Sequence, residues 1–134
     1  MLGESIMETK INTSFGLFLK KLRVEEANIG LRSFAELVEL QPSNLSNMER
    51  GKLPPPANKE TLDRICAALG LSLTDPRRAE LFDLAAQYSG RIPADIVDVV
   101  KENEGVPVLV RTIANKQLSD EKLRELAKYI EDNY

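Results

Sequence analysis

The segment from Leu31 to Lys52 most constrains the fold of this chain, because it predicts two short helices separated by a proline. Its first half places apolar residues at helical spacings of three and four, which gives one apolar face. These residues are Leu31, Phe34, Ala35 and Val38. Pro42 disfavours helical geometry in Gln41 and suits the first turn of a new helix. The second helix should end at Gly51, because glycine commonly follows a helix C-terminus.

The second helix has one apolar side and one polar side. Leu45 and Met48 are predicted to face inward, and Asn44 lies at the margin. The outward residues are Pro42, Ser43, Ser46 and Asn47. Short hydrogen-bonding side chains on a helix with two apolar anchors suit the DNA major groove. No Arg or Lys occupies positions 42–47, so affinity is expected to depend on phosphate contacts, dimerisation or DNA shape.

The composition excludes several function classes. Hydrophobic residues make up 43% and charged residues 29% of the 134 residues, as in ordinary soluble domains. No apolar run approaches the ~20 residues needed to span a bilayer, and the N-terminal residues lack a signal-peptide pattern. We therefore expect a cytoplasmic protein with no membrane association. The chain has one cysteine, Cys66, and no histidine, so a metal site, a cofactor and an enzymatic activity are not expected.

The net charge of −3 is unfavourable for binding nucleic acid. Residues 1–73 carry nine basic and nine acidic residues, whereas residues 74–134 carry nine basic and twelve acidic residues. The excess acidity therefore belongs to the C-terminal part. The N-terminal part can bind DNA if its positive charges cluster on one face.

Capping residues and apolar periodicity predict four helices in the N-terminal part. Thr13 or Ser14 can cap the first helix, and Gly30 should precede the second. Asn58 should cap the fourth, whose inward side includes Cys66 as a core residue. The predicted inward residues of the first and fourth helices are Phe15, Phe18, Leu19, Leu22, Leu62, Ile65, Cys66 and Leu69.

The C-terminal part also reads as helical. Thr74 is the predicted cap of a fifth helix with Leu81, Phe82, Ala85 and Ala86 inward, and Pro93 should start a short helix. The expected buried side of that short helix comprises Ile96, Val99 and Val100. Residues 106–115 favour a helix, although their β-branched content leaves a strand open. Ser119 should cap the last helix, with Leu123, Leu126, Ala127 and Ile130 on one face.

Three segments strongly resemble the Xre, or Cro/C1-type, helix-turn-helix family of phage-repressor-like DNA-binding proteins. They are SFGLFLKKLR, IGLRSFAELVELQPSNLSNMERGKLPPP and ETLDRICAALGLS, and the most telling residues are LSNMERG at 45–51. The resemblance covers residues 13–73. It implies an all-α fold with a helix-turn-helix bundle at 13–73, after a flexible tail at 1–12 and before a helical extension at 74–134.

The resemblance also implies a DNA site. Base edges would be contacted by Pro42, Ser43, Ser46 and Asn47. Asn47 is expected to read adenine, because an amide can donate to N7 and accept from N6 together. The implied phosphate contacts are Arg32, Asn44, Lys52, Lys59, and Lys20 or Lys21. Arg23 and Glu49 would form a structural ion pair, although the segment from Val24 to Ile29 is one residue longer than is common in the family.

The implied function is sequence-specific transcriptional regulation, with the chain acting as a homodimeric repressor on a palindromic operator in double-stranded DNA.

The run RAELFDLAAQYSGRIPADI resembles extensions of small bacterial regulators encoded beside a toxin or a metallopeptidase. Residues 74–134 are therefore expected to form a dimerisation or partner-binding region. The alternative function is an antitoxin that binds a toxin through this region and represses its own operon. A helix-turn-helix that binds only protein is a further alternative.

Overall fold

A computed structural model of the chain describes residues 14–134, and its regular secondary structure there is entirely helical. The predicted all-α fold is confirmed. Thr13 and the proposed tail at 1–12 lie outside the described residues. The helices are α1 (residues 14–21, continued by a π-helical turn at Leu22–Glu26), α2 (Leu31–Leu37), α3 (Pro42–Glu49), α4 (Lys59–Ala68), α5 (Pro76–Ser89), a 3-10 turn (Ala94–Ile96), α6 (Val97–Glu102), α7 (Gly105–Lys116) and α8 (Asp120–Asn133).

The described residues form two compact units, an N-terminal unit (residues 14–97) and a C-terminal unit (Asp98–Tyr134). The N-terminal unit has a hydrophobic core to which α1 to α5 all contribute. Its fully buried side chains include Phe15, Leu19, Phe34, Val38, Leu45, Leu62, Ile65, Leu81 and Phe82. Helix α5 is part of this core, so the compact unit extends beyond residue 73.

The segment that connects α1 to α2 begins with the π-helical turn at Leu22–Glu26. The amide of Ala27 donates to the carbonyl of Leu22 at 2.8 Å, five residues back, and the amide of Ile29 donates to the carbonyl of Arg23 at 3.0 Å. A π-helical turn accommodates one more residue than an α-helical turn. Leu22 and Arg23 both remain buried despite the longer segment.

The connection between α2 and α3 is tight because two backbone hydrogen bonds close the end of α2. The amide of Glu39 donates to the carbonyl of Glu36, and the amide of Leu40 donates to that of Ala35. Glu39 adopts a φ of 59°, the left-handed conformation that usually ends a helix in this way. Gln41 is extended, and Pro42 begins α3 as the sequence predicts.

Most of the predicted helix ends are confirmed, and one is wrong. Gly30, Asn58 and Ser119 are the N-caps of α2, α4 and α8. Thr74 is not the cap of α5, because the side chain of Asp75 accepts the hydrogen bond from the amide of Arg77. The cause is the position of the proline: Pro76 occupies the first helical turn, so the residue directly before it becomes the N-cap.

The C-terminal unit consists of amphipathic helices without a buried residue. Residues 105–116 form a helix, so the strand alternative is wrong. The prediction that Ile96, Val99 and Val100 form a buried side at the junction of the two units along the chain is also wrong, because Ile96 and Val99 are 45% and 51% exposed and Val100 is only partly buried. Apolar periodicity predicts which residues share a face, but burial also requires a second element over that face. None of the helices within residues 14–134 is long and apolar enough to cross a membrane.

Gly16 allows α1 to approach the end of α3 closely. A Cβ atom at residue 16 would lie 2.4 Å from the backbone oxygen of Glu49 and 2.6 Å from that of Met48. Backbone atoms inside a packed unit cannot move aside as a flexible side chain can. The absence of a side chain at residue 16 is therefore a requirement of this packing.

We expect Gly16→Ala to lower the free energy of unfolding by about 1–3 kcal/mol, the usual cost of overpacking. The helix propensity of alanine, which favours it over glycine by ~0.5–1 kcal/mol, would only partly offset this loss. Equilibrium urea unfolding measures the effect. Gly30→Ser is the control, because a Cβ at Gly30 meets no atom within 4 Å and serine is a good N-cap. Wild-type stability of Gly16→Ala would contradict the close packing of α1 on α3.

Candidate nucleic-acid interface

Helix α3 is fixed to the core by its apolar side. Leu45 is completely buried and Met48 is 7% exposed. The helix ends in a glycine turn, in which the amide of Gly51 donates to the carbonyl of Met48 and the amide of Lys52 donates to that of Asn47. Gly51 has the left-handed φ of 76° that this turn requires. The sequence predicted both the inward residues and this ending.

A buried ion pair joins the last residue of α3 to α1. Arg23 contacts both carboxylate oxygens of Glu49, from Nε to Oε2 at 2.7 Å and from Nη2 to Oε1 at 2.9 Å. Arg23 Nη1 also donates to the backbone oxygen of Ile29 at 2.9 Å. The hydrogen bond to Glu49 raises the pKa of the Arg23 guanidinium above its ordinary value. The π-helical turn thus leaves Arg23 facing the carboxylate that the family resemblance assigned to it.

The outer face of α3 bears the five polar or small residues that the sequence singled out. Ser43 and Asn44 are exposed, and Pro42, Ser46 and Asn47 are partly exposed. Pro42, Ser43, Ser46 and Asn47 lie away from Leu45 and Met48, which are buried, whereas Asn44 lies at the margin. The helix can therefore present hydroxyl and amide groups to a ligand without uncovering its apolar anchors.

Arg50 is a candidate site residue that the sequence analysis missed. It is the C-cap of α3, and its Nη2 donates to Oδ1 of Asn47 at 2.6 Å. The two residues are three positions apart, and that spacing places side chains side by side on a helix. This spacing is visible in the sequence, although Arg50 lies outside positions 42–47, to which the sequence analysis assigns the base contacts.

The basic residues among the predicted phosphate contacts differ in whether another side chain already pairs with their charge. Lys20, Lys21, Arg32 and Lys52 are exposed and form no ion pair with another residue of the described part of the chain. Lys59, in contrast, pairs with Asp63 at 2.7 Å. Lys52 lies in the turn directly after α3, and its backbone amide donates to the carbonyl of Asn47. The ammonium group of Lys59 instead bonds to Asp63, which like Lys59 belongs to α4. Lys52 is thus the better placed of these two lysines.

The arginines at the start of α5 have structural partners. Arg77 pairs with Asp75 and Glu26, and the hydrogen bonds from Arg77 lower the pKa of the Asp75 carboxyl to about 2. Arg78 pairs with Asp63 at 2.6 Å and lies 4.8 Å from the centre of the Phe82 ring. Both arginines are therefore engaged in ion pairs within the described residues.

Potential metal ligands are not grouped together within residues 14–134. No group of three or more His, Cys, Asp and Glu side chains among them could hold a metal ion. Burial raises the pKa of the Cys66 thiol to about 11, so this cysteine is a core residue and a poor nucleophile. A cavity beside Leu62 and Phe82 has a volume of about 20 Å³, which is room for about one water molecule.

A bundle of short helices in which α2, a tight turn and α3 present a polar outer face defines a helix-turn-helix domain. The model of a family described as helix-turn-helix domain matches residues 14–81, half of the chain. Control protein C.MunI of Mycoplasma sp is 35% identical over 65 residues, which are 48% of this chain and 85% of that protein. No solved structure matches the chain.

The chain therefore belongs to the helix-turn-helix domain family, and it is an Xre-type, DNA-binding transcriptional regulator. Both matches are to regulatory proteins rather than to enzymes.

We expect Glu49→Leu to lower the free energy of unfolding by about 3–5 kcal/mol, because Arg23 would keep a buried charge without its partner. The double variant Arg23→Met with Glu49→Leu should lose much less than the two single variants together, since it leaves no unpaired charge. A double-mutant cycle by urea unfolding measures this coupling. The control is Asp132→Asn, which removes a partner from the exposed pair with Lys128 and should leave stability unchanged. Additive losses at Arg23 and Glu49 would contradict the pair's role.

Proposed function

We propose that this regulator is a repressor that binds a palindromic operator as a homodimer, with α3 in the major groove of each half-site. The observation that supports it best is the construction of α3. Its apolar side chains are buried, its last residue is held by the ion pair with Arg23, and its outer face offers hydroxyl and amide groups. A helix fixed in this way can hold side chains at constant positions against base edges.

In this proposal, Pro42, Ser43, Ser46 and Asn47 contact base edges. The phosphate contacts come from residues around α3: Arg32, Asn44, Lys52, Lys59, Lys20 and Lys21. Arg32 is the second residue of α2 and is exposed, so it can reach the DNA backbone while α2 crosses it. Lys59 would first have to release Asp63, so we expect it to contribute least.

The C-terminal unit supports the homodimer. Fewer than ~40 residues rarely form a stable unit without a metal, a disulfide or oligomerisation. Helices α7 and α8 are amphipathic, and Val108, Leu109, Tyr129 and Ile130 are all more than 40% exposed. A second copy of the chain can cover such residues, and two-fold symmetry would match an inverted repeat. The word "control" in the name of the Mycoplasma relative is in keeping with a regulatory role.

The exposed apolar residues of α7 and α8 also favour the second candidate function, an antitoxin. In that case a toxin, rather than a second copy of the chain, would cover this surface, and the helix-turn-helix would repress the shared operon. The two functions differ in what is bound to the C-terminal unit.

Selection of binding sites from random DNA by the full chain should yield an inverted repeat with half-sites about one helical turn apart. Sedimentation analysis of the selected complex should give two chains per duplex. One chain on a single half-site would contradict the homodimer, and failure to enrich any sequence would contradict sequence-specific binding. Stoichiometric co-purification with the product of a neighbouring gene, lost on removal of residues 98–134, would favour the antitoxin.

Arg32→Ala should weaken binding to operator and random DNA alike, because a phosphate contact carries no sequence information. The slope of log affinity against log salt concentration should become shallower by about one. Fluorescence anisotropy over a range of salt concentrations measures it. Lys128→Ala, which removes the same charge from α8, is the control and should leave the slope unchanged. An unchanged slope for Arg32→Ala would exclude a phosphate contact by Arg32.

A further inference from the structure

The hydrogen bond between Arg50 and Asn47 fixes the chemistry that α3 can offer to a base. Arg50 Nη2 and Asn47 Oδ1 are 2.6 Å apart. An arginine side chain has only N–H donors, so the group that faces it must be the amide oxygen of Asn47. The amide nitrogen of Asn47 donates to no group within residues 14–134. Within the described residues, the side chain of Asn47 therefore has an unused N–H donor and an amide oxygen that already accepts one hydrogen bond from a charged group.

Both residues belong to a helix end that backbone hydrogen bonds close. The carbonyl of Asn47 accepts hydrogen bonds from the amides of Lys52 and Leu53, at 2.8 Å and 3.3 Å. The amide of Arg50 donates to the carbonyl of Ser46 at 3.1 Å. The backbone of both residues is thus fixed by hydrogen bonds at the end of α3. The side chains of Asn47 and Arg50 are the parts that can adjust to a ligand.

The two purines differ in the groups that they present in the major groove. Guanine presents two acceptors, N7 and O6, whereas adenine presents an acceptor at N7 and an amino donor at N6. An adenine amino group could use only the remaining lone pair of Asn47 Oδ1, and it would lie beside the N–H groups of the Arg50 guanidinium, which makes this approach unfavourable. Both acceptors of guanine would instead face N–H groups, from Asn47 Nδ2 and from the guanidinium.

We propose that Asn47 and Arg50 act together as a donor pair that selects guanine, with Arg50 as a specificity-determining residue. The inference rests on the proposed position of α3 in the major groove. It differs from the expectation that Asn47 reads adenine, which follows when Asn47 is considered alone. It also supplies a basic side chain next to positions 42–47, where the sequence has none.

The test is a selection from random DNA with the full wild-type chain and with Asn47→Ala, Arg50→Met and Arg50→Lys. The base pair whose preference is lost in Asn47→Ala is the one that Asn47 reads. At that base pair the wild type should select guanine. Arg50→Met should reduce the preference for guanine over adenine by roughly 5- to 150-fold, the range for one bidentate contact. The freed amide of Asn47 should then favour adenine, and Arg50→Lys, which keeps a donor, should retain part of the guanine preference.

Arg64→Met is the matched control, because Arg64 is an accessible arginine that pairs with Glu39 rather than with a residue of α3. It should leave the base preference unchanged. Arg50 is exposed, so Arg50→Met should unfold at the wild-type temperature, which separates a change of specificity from a loss of structure. Adenine selected by the wild type, or an unchanged preference in Arg50→Met, would overturn the inference while leaving the proposed function intact. If no sequence is enriched by the wild type, the proposed function itself fails.

Discussion

The buried ion pair between Arg23 and Glu49 is the interaction on which the position of α3 depends. It places the end of α3 against α1, and Gly16 allows the two backbones to come close at the same point. A buried charge pair is seldom a large net source of stability, since both charges lose their hydration. Its geometry is nevertheless specific, because a bidentate contact holds only in one relative placement of the two helices. The pair therefore fixes an orientation, which is the property that a base-reading helix needs.

The polar face of α3 owes its chemistry to the residues that follow the helix. Gly51 ends α3, and the resulting turn holds Arg50 close enough to engage the amide oxygen of Asn47. The amide of Asn47 can both donate and accept, and the bond from Arg50 occupies one of its two acceptor positions while its N–H donors stay available. The same principle applies to Lys59, whose charge is shared with Asp63. In both cases a neighbouring side chain changes what a residue can bind, although the residue type alone would suggest a DNA contact.

The two compact units differ in how their apolar residues are used. In the N-terminal unit, side chains from five helices meet in one core that includes Phe15 and Phe82. In the C-terminal unit, amphipathic helices of similar periodicity have no buried residue. Exposed apolar surface of this kind is costly in water and is typical of surfaces that bind another chain. In the proposed function, self-association or a protein partner would act through the C-terminal unit, and α3 would select the DNA sequence.

The sequence by itself determined the helical fold, the α2–turn–α3 pair and the inward side of each N-terminal helix, because periodicity, proline and glycine act over a few residues. It also identified the cap at Asn58. Only the tertiary structure decided three things: the contact between Arg23 and Glu49 that the family resemblance had only implied, the close approach that Gly16 permits, and the exposure of Ile96 and Val99. The physical reason is common to all three. Each depends on what lies opposite a residue in space, and local sequence patterns carry no information about that partner.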